Sequence, residues 1–407
     1  MASLRPVCLA QLDPDSSATL LEGGGLAPEE ENDPVTLPEP APTDDVLKTP
    51  VTVTVVNYNG DAFIDDCLDA LMKLRGNVAE IIVVDNASTD GSKARIRART
   101  PDVRLVELST NGGPCSARNV GLREAATDWV FQIDSDVLVQ PDTLERLLPE
   151  IRGERVAAVQ PRAVLAHDPQ VVHYDGGSMH YVGVMCLDNL LARVEGAPDA
   201  PSDCDAVISM ALLVDRGALL EAGAWDETFF ILFEDHDVSY RLRARGHRLR
   251  RVPGAVVLHK EGTAGISFRP GAPAYPGRRA YLHARNRAYL VLKNYSWPAL
   301  VASFPGRCAY ALVWATFAAS RGVFLDYLKG RWAFLKLVPR ALSKRRQLAN
   351  ARVVGDGRLL GASDLTFSPV IKRKGLEAGL IRVLNGMLSA WWALVGPALP
   401  RKPGPEP

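Results

Sequence analysis

Cysteine is scarce and unpatterned in this 407-residue chain: Cys8, Cys67, Cys115, Cys186, Cys204 and Cys308 share no repeated spacing and form no Cys-x-x-Cys. That excludes a disulfide framework and a thiolate zinc site and fits a reducing compartment. Net charge is also absent, with 47 Lys+Arg against 47 Asp+Glu. No nucleic-acid partner is expected from such a balance. Long apolar runs are missing where the chain is otherwise most hydrophobic. The segments 294–306 and 308–320 are broken at Arg307 and Arg321, leaving pieces of about 13 residues, short of the ~20 that cross a bilayer. The first residues carry Arg5 and only short apolar stretches before Asp13 and Asp15, so no secretory signal is expected there.

The overall neutrality conceals an asymmetry. Residues 1–50 hold ten acids against Arg5 and Lys48, whereas from Arg269 onward there are 23 Lys+Arg against 5 Asp+Glu. Segment 1–48, with "GGG", "PEEENDP" and "LPEPAPTDD", has too little periodic apolar content to offset the entropy of ordering and reads as a disordered acidic arm. A basic tail rich in Trp, Phe and Leu points to an anionic surface as partner.

From Val51 the texture becomes that of a folded α/β domain, expected over 49–267, with a helical basic region over 268–407. "VTVTVV" (51–56) reads as a buried strand, 62–74 carries Phe63, Cys67, Leu68, Leu71 and Leu74 at helical spacing, and "EIIVVDNASTDGS" (80–92) is a strand and turn. A helix through "KARIRAR", a strand "VRLVEL" (103–108), a turn "NGGP", a helix over about 115–126 and a strand ending at Asp134 complete the alternation. Alternating strands and helices imply a mostly parallel, Rossmann-like sheet covered on both faces, with ligands at the carboxyl ends of its strands. Polar residues gather at those ends: Asn57 and Asn59, then Asp85 and Asn86, then Asn111, then Asp134 and Asp136. Four polar strand ends in succession describe one cleft.

Asp134-Ser135-Asp136 places two carboxylates close together at the mouth of an apolar strand, where each disfavours the other's ionisation. Hard divalent cations such as Mn2+ or Mg2+ take one or two carboxylates together with substrate phosphates, which makes this DXD motif a metal–diphosphate candidate. An Asp-x-Asp by itself is also ordinary turn chemistry. Further on, "FFILFEDHDVSYRLRARG" sets Glu234, Asp235, His236 and Asp237 in the first turn of a helix, after an aromatic stretch. Helix capping accounts for some of these acids, and four ionisable groups in a row exceed what a cap needs.

The stretches "VTVTVVNYNGDAFIDDCLDAL", "EIIVVDNASTDGS", "NGGPCSARNVGLREAATDWVFQIDSDV" and "GAWDETFFILFEDHDVSYRLRARGHRL…VLH" together resemble the family-two, GT-A-type glycosyltransferases, in the bacterial branch of rhamnosyltransferase-like enzymes, over roughly residues 50–265. The resemblance implies a GT-A nucleotide-sugar-binding sheet and an inverting, metal-dependent hexosyl or deoxyhexosyl transfer. A nucleotide-diphosphate sugar would be the donor, and the acceptor a glycan or lipid-linked hydroxyl in cell-surface polysaccharide synthesis. It implies that Asp85, with Asn57 and Tyr58, lines the donor base and ribose pocket, that Arg118 and Asp134 also face the donor, and that Asp136 and His259 hold Mn2+ or Mg2+. Asp235 would be the general base, with Glu234 and Asp237 supporting it. Arg118 reads equally as a solvated helix charge, and a lone His259 at a strand end as a structural histidine. Where the family has Ser-Gly-Ala, this chain has Ser209-Met210-Ala211, which bears on the room left in the sugar pocket.

Two other functions use the same residues. A nucleotidylyltransferase would open with a Gly-rich signature after the first strand, which "NYNGDAF" does not supply, and a non-catalytic membrane-peripheral scaffold would not require the set Asp134, Asp136 and Asp235. In the tail, Arg321, Asp326, Lys329, Lys336 and Arg340 fall on one side of a helix. Phe324, Leu325, Leu328, Trp332, Leu335 and Val338 fall on the other, with Arg331 the exception. Such a helix lies in a membrane interface or packs on its own domain. The basic runs 344–346 and 372–374 and the Trp391-Trp392 pair favour peripheral attachment on the cytoplasmic side of the membrane.

Overall fold

A computed structural model describes residues 47–262, 274–366 and 376–402. All but the last two residues of the expected acidic arm lie outside that range, as do the 267/268 boundary and the basic run 372–374.

The alternating half begins with β1 (Val51–Asn57), α1 (Ile64–Leu71), β2 (Val78–Asp85), α2 (Ser92–Arg97), β3 (Arg104–Glu107), α3 (Pro114–Glu124) and β4 (Trp129–Asp134). β1 pairs in parallel with β2 on one side and β4 on the other, and β2 pairs in parallel with β3. Every residue of β1 is buried, the signature of a central parallel strand with both faces covered. Val51, Val53 and Val55 pack with Ile64 and Leu68 of α1, whereas Val56 packs with Ala117 of α3 on the opposite face. The chain steps outward from β1 through β2 to β3 and then returns across β1 to β4. That reversal is a topological switch point, where a crevice opens between carboxyl ends. Val56 lies in register with Asp134 across it.

Beyond Asp134 the alternation gives way to mixed pairing. β5 (Val137–Val139), α4 (Thr143–Leu147), β6 (Val156–Leu165), β7 (Asp168–Tyr174), the hairpin β8 (Gly177–His180) and β9 (Val184–Leu187), β10 (Ser202–Cys204), β11 (Ala211–Asp215), α5 (Arg216–Glu221), α6 (Glu234–Ala244) and β12 (Arg248–His259) follow. The main sheet runs β10-β12-β6-β11-β4-β1-β2-β3, and β11 is antiparallel to both β4 and β6. The carboxyl end of β12 returns beside β5, pairing His259 with Val137. That pairing delivers a histidine to the edge of the DXD turn.

The helical region comprises α7 (Gly277–Asn294), α8 (Trp297–Ala302), α9 (Phe304–Ser320), α10 (Phe324–Ala351), α11 (Asp356–Leu359) and α12 (Leu376–Val395). α7 and α10 pack closely, and a methyl group at Gly330 would strike the Tyr281 carbonyl. Tyr289 and Leu290 of α7 and Ala341 of α10 join the core that also contains Trp225, Phe229 and Leu242, so these helices are continuous with the core of the sheet domain. The apolar face expected on α10 is not buried against this core: Leu325 and Trp332 are each 70% exposed. α12 passed unnoticed among the sequence signals. By length and composition it alone among the described residues could cross a membrane. Its Trp392 stacks on Tyr181 at 4.3 Å, while Leu380, Val383 and Met387 stay exposed.

Candidate active site

β4 stops at Asp134, and the next residues, Ser135 and Asp136, turn toward β5. Arg118, projecting from α3, donates from Nη2 to Asp134 Oδ1 at 2.6 Å. It is 3% exposed, its Nε and Nη1 have no hydrogen-bond partner among the described residues, and its guanidinium lies 5.5 Å above the Trp225 ring. Burial opposes its charge, but Asp134, Asp235 and Glu234 together hold it protonated above arginine's usual range. Arg118 is therefore a buried cation shared between the DXD turn and the first turn of α6. About 30% of the Asp134 side chain faces the cleft, yet the surrounding protein pushes its pKa up to about 6, with Arg118 opposing and Asp136 adding to the shift.

Asp136 sits at the junction of three elements. Its Oδ2 lies 3.3 Å from His259 Nε2 and accepts the Gly262 N–H at 2.6 Å. Burial would raise its pKa, but His259 and that N–H lower it below the usual carboxylate value. His259 Nδ1 is 2.9 Å from His173 Nδ1, the rings stack with centroids 4.9 Å apart, and His173 Nε2 lies 3.8 Å from Glu261. The sequence offered no sign of His173. Only the antiparallel pairing of β7 with β6, next to β12, brings it there.

Glu234 and Asp235 open α6 after an unusual loop. Phe230, Leu232 and Phe233 have positive φ of 65°, 70° and 75°, a region costly for residues with a β-carbon. Asn286 of α7 holds this loop by donating from Nδ2 to the carbonyls of Phe229, Ile231 and Leu232 at 2.8–3.0 Å. Arg285 donates to the carbonyls of Thr228 and Phe229. Neither residue stood out in the sequence; an asparagine in a basic helix carries no recognisable signal. Asp235 Oδ1 accepts the Ser209 N–H at 3.0 Å, and burial raises its pKa. Glu234 Oε2 has no partner, and burial, reinforced by Asp235 and opposed by Arg118, pushes its pKa up to about 8. Burial thus favours the protonated form of both acids, and a proton held there belongs to the pair. Met210 is 6% exposed and packs in the core, which takes up the bulk that glycine would not have.

Other candidates are placed differently. Asn57 donates to Asp85 Oδ2 at 2.8 Å and to the hydroxyls of Ser88 and Ser92, while Ser88 N–H donates to Asp85 Oδ1. Asn57 and Asp85 are fully buried in this network, and Tyr58 beside them is 49% exposed. Asp237 faces a second cluster: its carboxylate accepts from Arg241 Nε at 2.8 Å, Lys293 Nζ at 2.7 Å and Asn294 Nδ2 at 2.9 Å. Lys293 also reaches Asp226 at 2.7 Å.

Among the described residues no group of three or more His, Cys, Asp and Glu side chains forms a closed metal cage. What is present is one carboxylate and one imidazole in contact, with Asp134 beside them. That donor set fits a hard cation which takes its remaining oxygens from water and phosphates. The neighbouring His173 is placed to fix which His259 nitrogen stays unprotonated, the role of an outer-shell partner.

The sheet with its switch-point cleft is a GT-A-like fold. The solved structure of GalNAc-T7 with UDP, GalNAc and Mn2+ superposes with a TM-score of 0.51 at 17% identity, covering 74% of this chain and 58% of that one. Residues 52–178 match the model of Glycosyl transferase family 2, and the chain carries a domain of that family. It is 35% identical over 130 residues to the succinoglycan biosynthesis protein ExoO of Rhizobium meliloti (strain 1021), covering 32% of this chain and 36% of the relative. It is 24% identical over 209 residues to the poly-beta-1,6-N-acetyl-D-glucosamine synthase of Staphylococcus aureus (strain COL), covering 51% and 48%. The chain thus spans about half the length of that relative, or less for ExoO.

Proposed function

We propose that the protein is an inverting glycosyltransferase that moves a sugar from a nucleotide-diphosphate donor to a hydroxyl of a glycan or lipid-linked acceptor in cell-surface polysaccharide synthesis. The observation that carries this reading is the gathering of Asp134, Glu234 and Asp235 around one incompletely paired Arg118 at the switch point of a family-two domain, with Asp136 and His259 in contact beside them. Two relatives named for polysaccharide synthesis support the destination of the product.

In this reading Asp136 and His259 hold Mn2+ or Mg2+, which would neutralise charge on the departing diphosphate. Arg118 keeps Asp134 oriented on the donor side, with Asp85, Asn57 and Tyr58 farther along the strand ends toward the base and ribose. Asp235, held by the Ser209 N–H, takes the proton from the acceptor hydroxyl as it attacks the anomeric carbon. Glu234, neutral beside it, keeps Asp235 from sharing its site with a second charge. A single base and no nucleophilic carboxylate give inversion. Asp237 anchors α6 to α7.

The experiment is a panel of nucleotide sugars assayed for turnover with and without Mn2+, and for nucleoside diphosphate binding by calorimetry. At least one donor should turn over only with the cation, and Asp136→Ala should abolish both cation-dependent binding and turnover. Cation-independent binding that survives Asp136→Ala would remove Asp136 from the site. Retention at the anomeric carbon would remove the single-base mechanism.

The same reading places the protein on the cytoplasmic face of a membrane. Exposed Leu325, Leu328, Trp332 and Leu335 of α10 and Leu380, Val383 and Met387 of α12 lie in a region of strong positive charge, which suits an anionic lipid surface at about 1 kcal/mol per well-placed cation. α12 lies along that surface, because Trp392, Leu384 and Leu388 are already packed on the protein. The full chain should sediment with anionic vesicles at low salt and be partly released at high salt.

A further inference from the structure

Beside the first turn of α6 lies a cavity of about 230 Å³ whose walls come from α6, α7, α9 and the β8–β9 hairpin. His236 enters it from α6, one residue after Asp235. His283 faces it from α7, and Trp314, Phe317 and Tyr310 line it from α9. Three buried ring nitrogens in these walls have no hydrogen-bond partner among the described residues: His236 Nδ1, His283 Nδ1 and Trp314 Nε1. Buried polar groups are nearly always satisfied, and each orphan carries a cost. Three around one space, separate from the carboxylate cluster, call for a ligand or waters that a ligand displaces.

The chemistry of the walls narrows the ligand. Burial pushes the His236 pKa down to about 3 and that of His283 well below its usual value, with Arg287 and Arg279 adding to the latter. Both rings are therefore neutral, each with one donor and one acceptor nitrogen. Trp314 adds a donor. Broad aromatic faces stand beside these polar points: Trp314 stacks on His283 at 4.0 Å, and Phe233 meets the His236 ring at 4.7 Å. Neutral hydrogen-bonding groups set among aromatic faces suit a polyol ring, which has apolar C–H faces and hydroxyls at its rim. An isoprenoid chain would leave the three nitrogens unpaired. A phosphate would find one cation, Arg279, among otherwise neutral rings, where phosphate sites usually gather several charged donors.

We propose that this cavity is the acceptor subsite and takes one neutral saccharide ring, so that a hydroxyl of that ring is offered to Asp235. This rests on the transferase reading above. His236, which lines the cavity, is the residue next to Asp235 in the first turn of α6. The volume admits a single ring, so further sugars of a longer acceptor extend outward.

The test uses the full chain with Mn2+ and, in turn, UDP, GDP and dTDP. Saturation-transfer NMR is recorded with methyl glycosides of glucose, galactose, rhamnose and N-acetylglucosamine, and nucleotide affinity is measured by calorimetry on the same samples. At least one glycoside should receive transfer. Trp314→Ala and His283→Ala should each raise its Kd at least fivefold, and Trp314→Phe, which keeps a ring and removes the N–H donor, should do so less, with nucleotide affinity unchanged in all three. Absence of transfer from all four glycosides, or transfer indifferent to all three substitutions, overturns the proposal. So does farnesyl phosphate binding in their place. Failure of every nucleotide to bind the unaltered chain would instead strike the transferase reading, and Trp314-dependent glycoside binding would still support the cavity.

Discussion

Two clusters of buried acids lie on either side of α6, and they are built to opposite ends. Asp226 and Asp237 are 4% and 0% exposed, and Lys293 and Arg241 meet them one for one, with Tyr289, Asn294 and the Thr228 N–H filling their remaining acceptor sites. Burial would raise both carboxyl pKa values, yet the cations hold them below the usual range. This cluster is closed. At the strand ends, Asp134 pairs with Arg118, which also faces Glu234 and Asp235 and has two nitrogens without a partner among the described residues, while Asp136 turns to His259. Burial pushes Asp134 up to about 6 and Glu234 up to about 8, and Arg118 offsets only part of that. A structural cluster balances itself, whereas a catalytic one leaves a deficit for its substrate and cation to fill.

The largest effect should follow from opening the closed cluster. Lys293→Ala takes the ion-pair partner from buried Asp226 and one of two from Asp237 and should cost about 3–5 kcal/mol, read as a lowered urea midpoint. A loss under about 1 kcal/mol would show that this balance is not structural. Asp235→Asn should leave stability and nucleotide affinity close to the parent while transfer falls by roughly 10²-fold or more, checked by initial rates alongside calorimetry. Asn286→Ala should fall between the clusters in kind. Releasing the positive-φ loop should lower kcat with little change in donor affinity, at a stability cost of about 1–3 kcal/mol, and circular dichroism melting with steady-state kinetics separates the two.

The last effect is a pH dependence. Because the Glu234 pKa is raised in the folded state, its contribution to stability is fully present below the unfolded value, near 4.5, and is lost as pH rises through about 8. Glu234→Gln should flatten that part of the decline in Tm between pH 5 and pH 9. An unchanged slope would mean that Glu234 is already ionised.

The parallel half was readable because its signals are local. β1, β2 and β4 end at or within a residue of where the apolar runs end, and the acids at those ends were visible as a series. Only pairing could reveal the rest. His173 reaches His259 through β7, β6 and β12. Asn286 reaches Phe229 across 57 positions. Their roles come from long-range contacts that leave no periodic mark. Asp237 looked like its neighbours Glu234 and Asp235, but successive residues on a helix point about 100° apart, and its direction put it in the closed cluster. The apolar face of α10 was identified from spacing alone. Spacing could not tell that it would remain uncovered, nor did two interrupted apolar pieces direct attention to the longer α12.

Lys293 and Asn294 end α7, and both contact acids that hold α6 in place. A chain cut after residue 290 would therefore lose its closed cluster along with its membrane-facing helices. The sheet and the helical tail are not exchangeable parts: a graft between relatives that differ in their tails succeeds only if the crossover falls after Asn294.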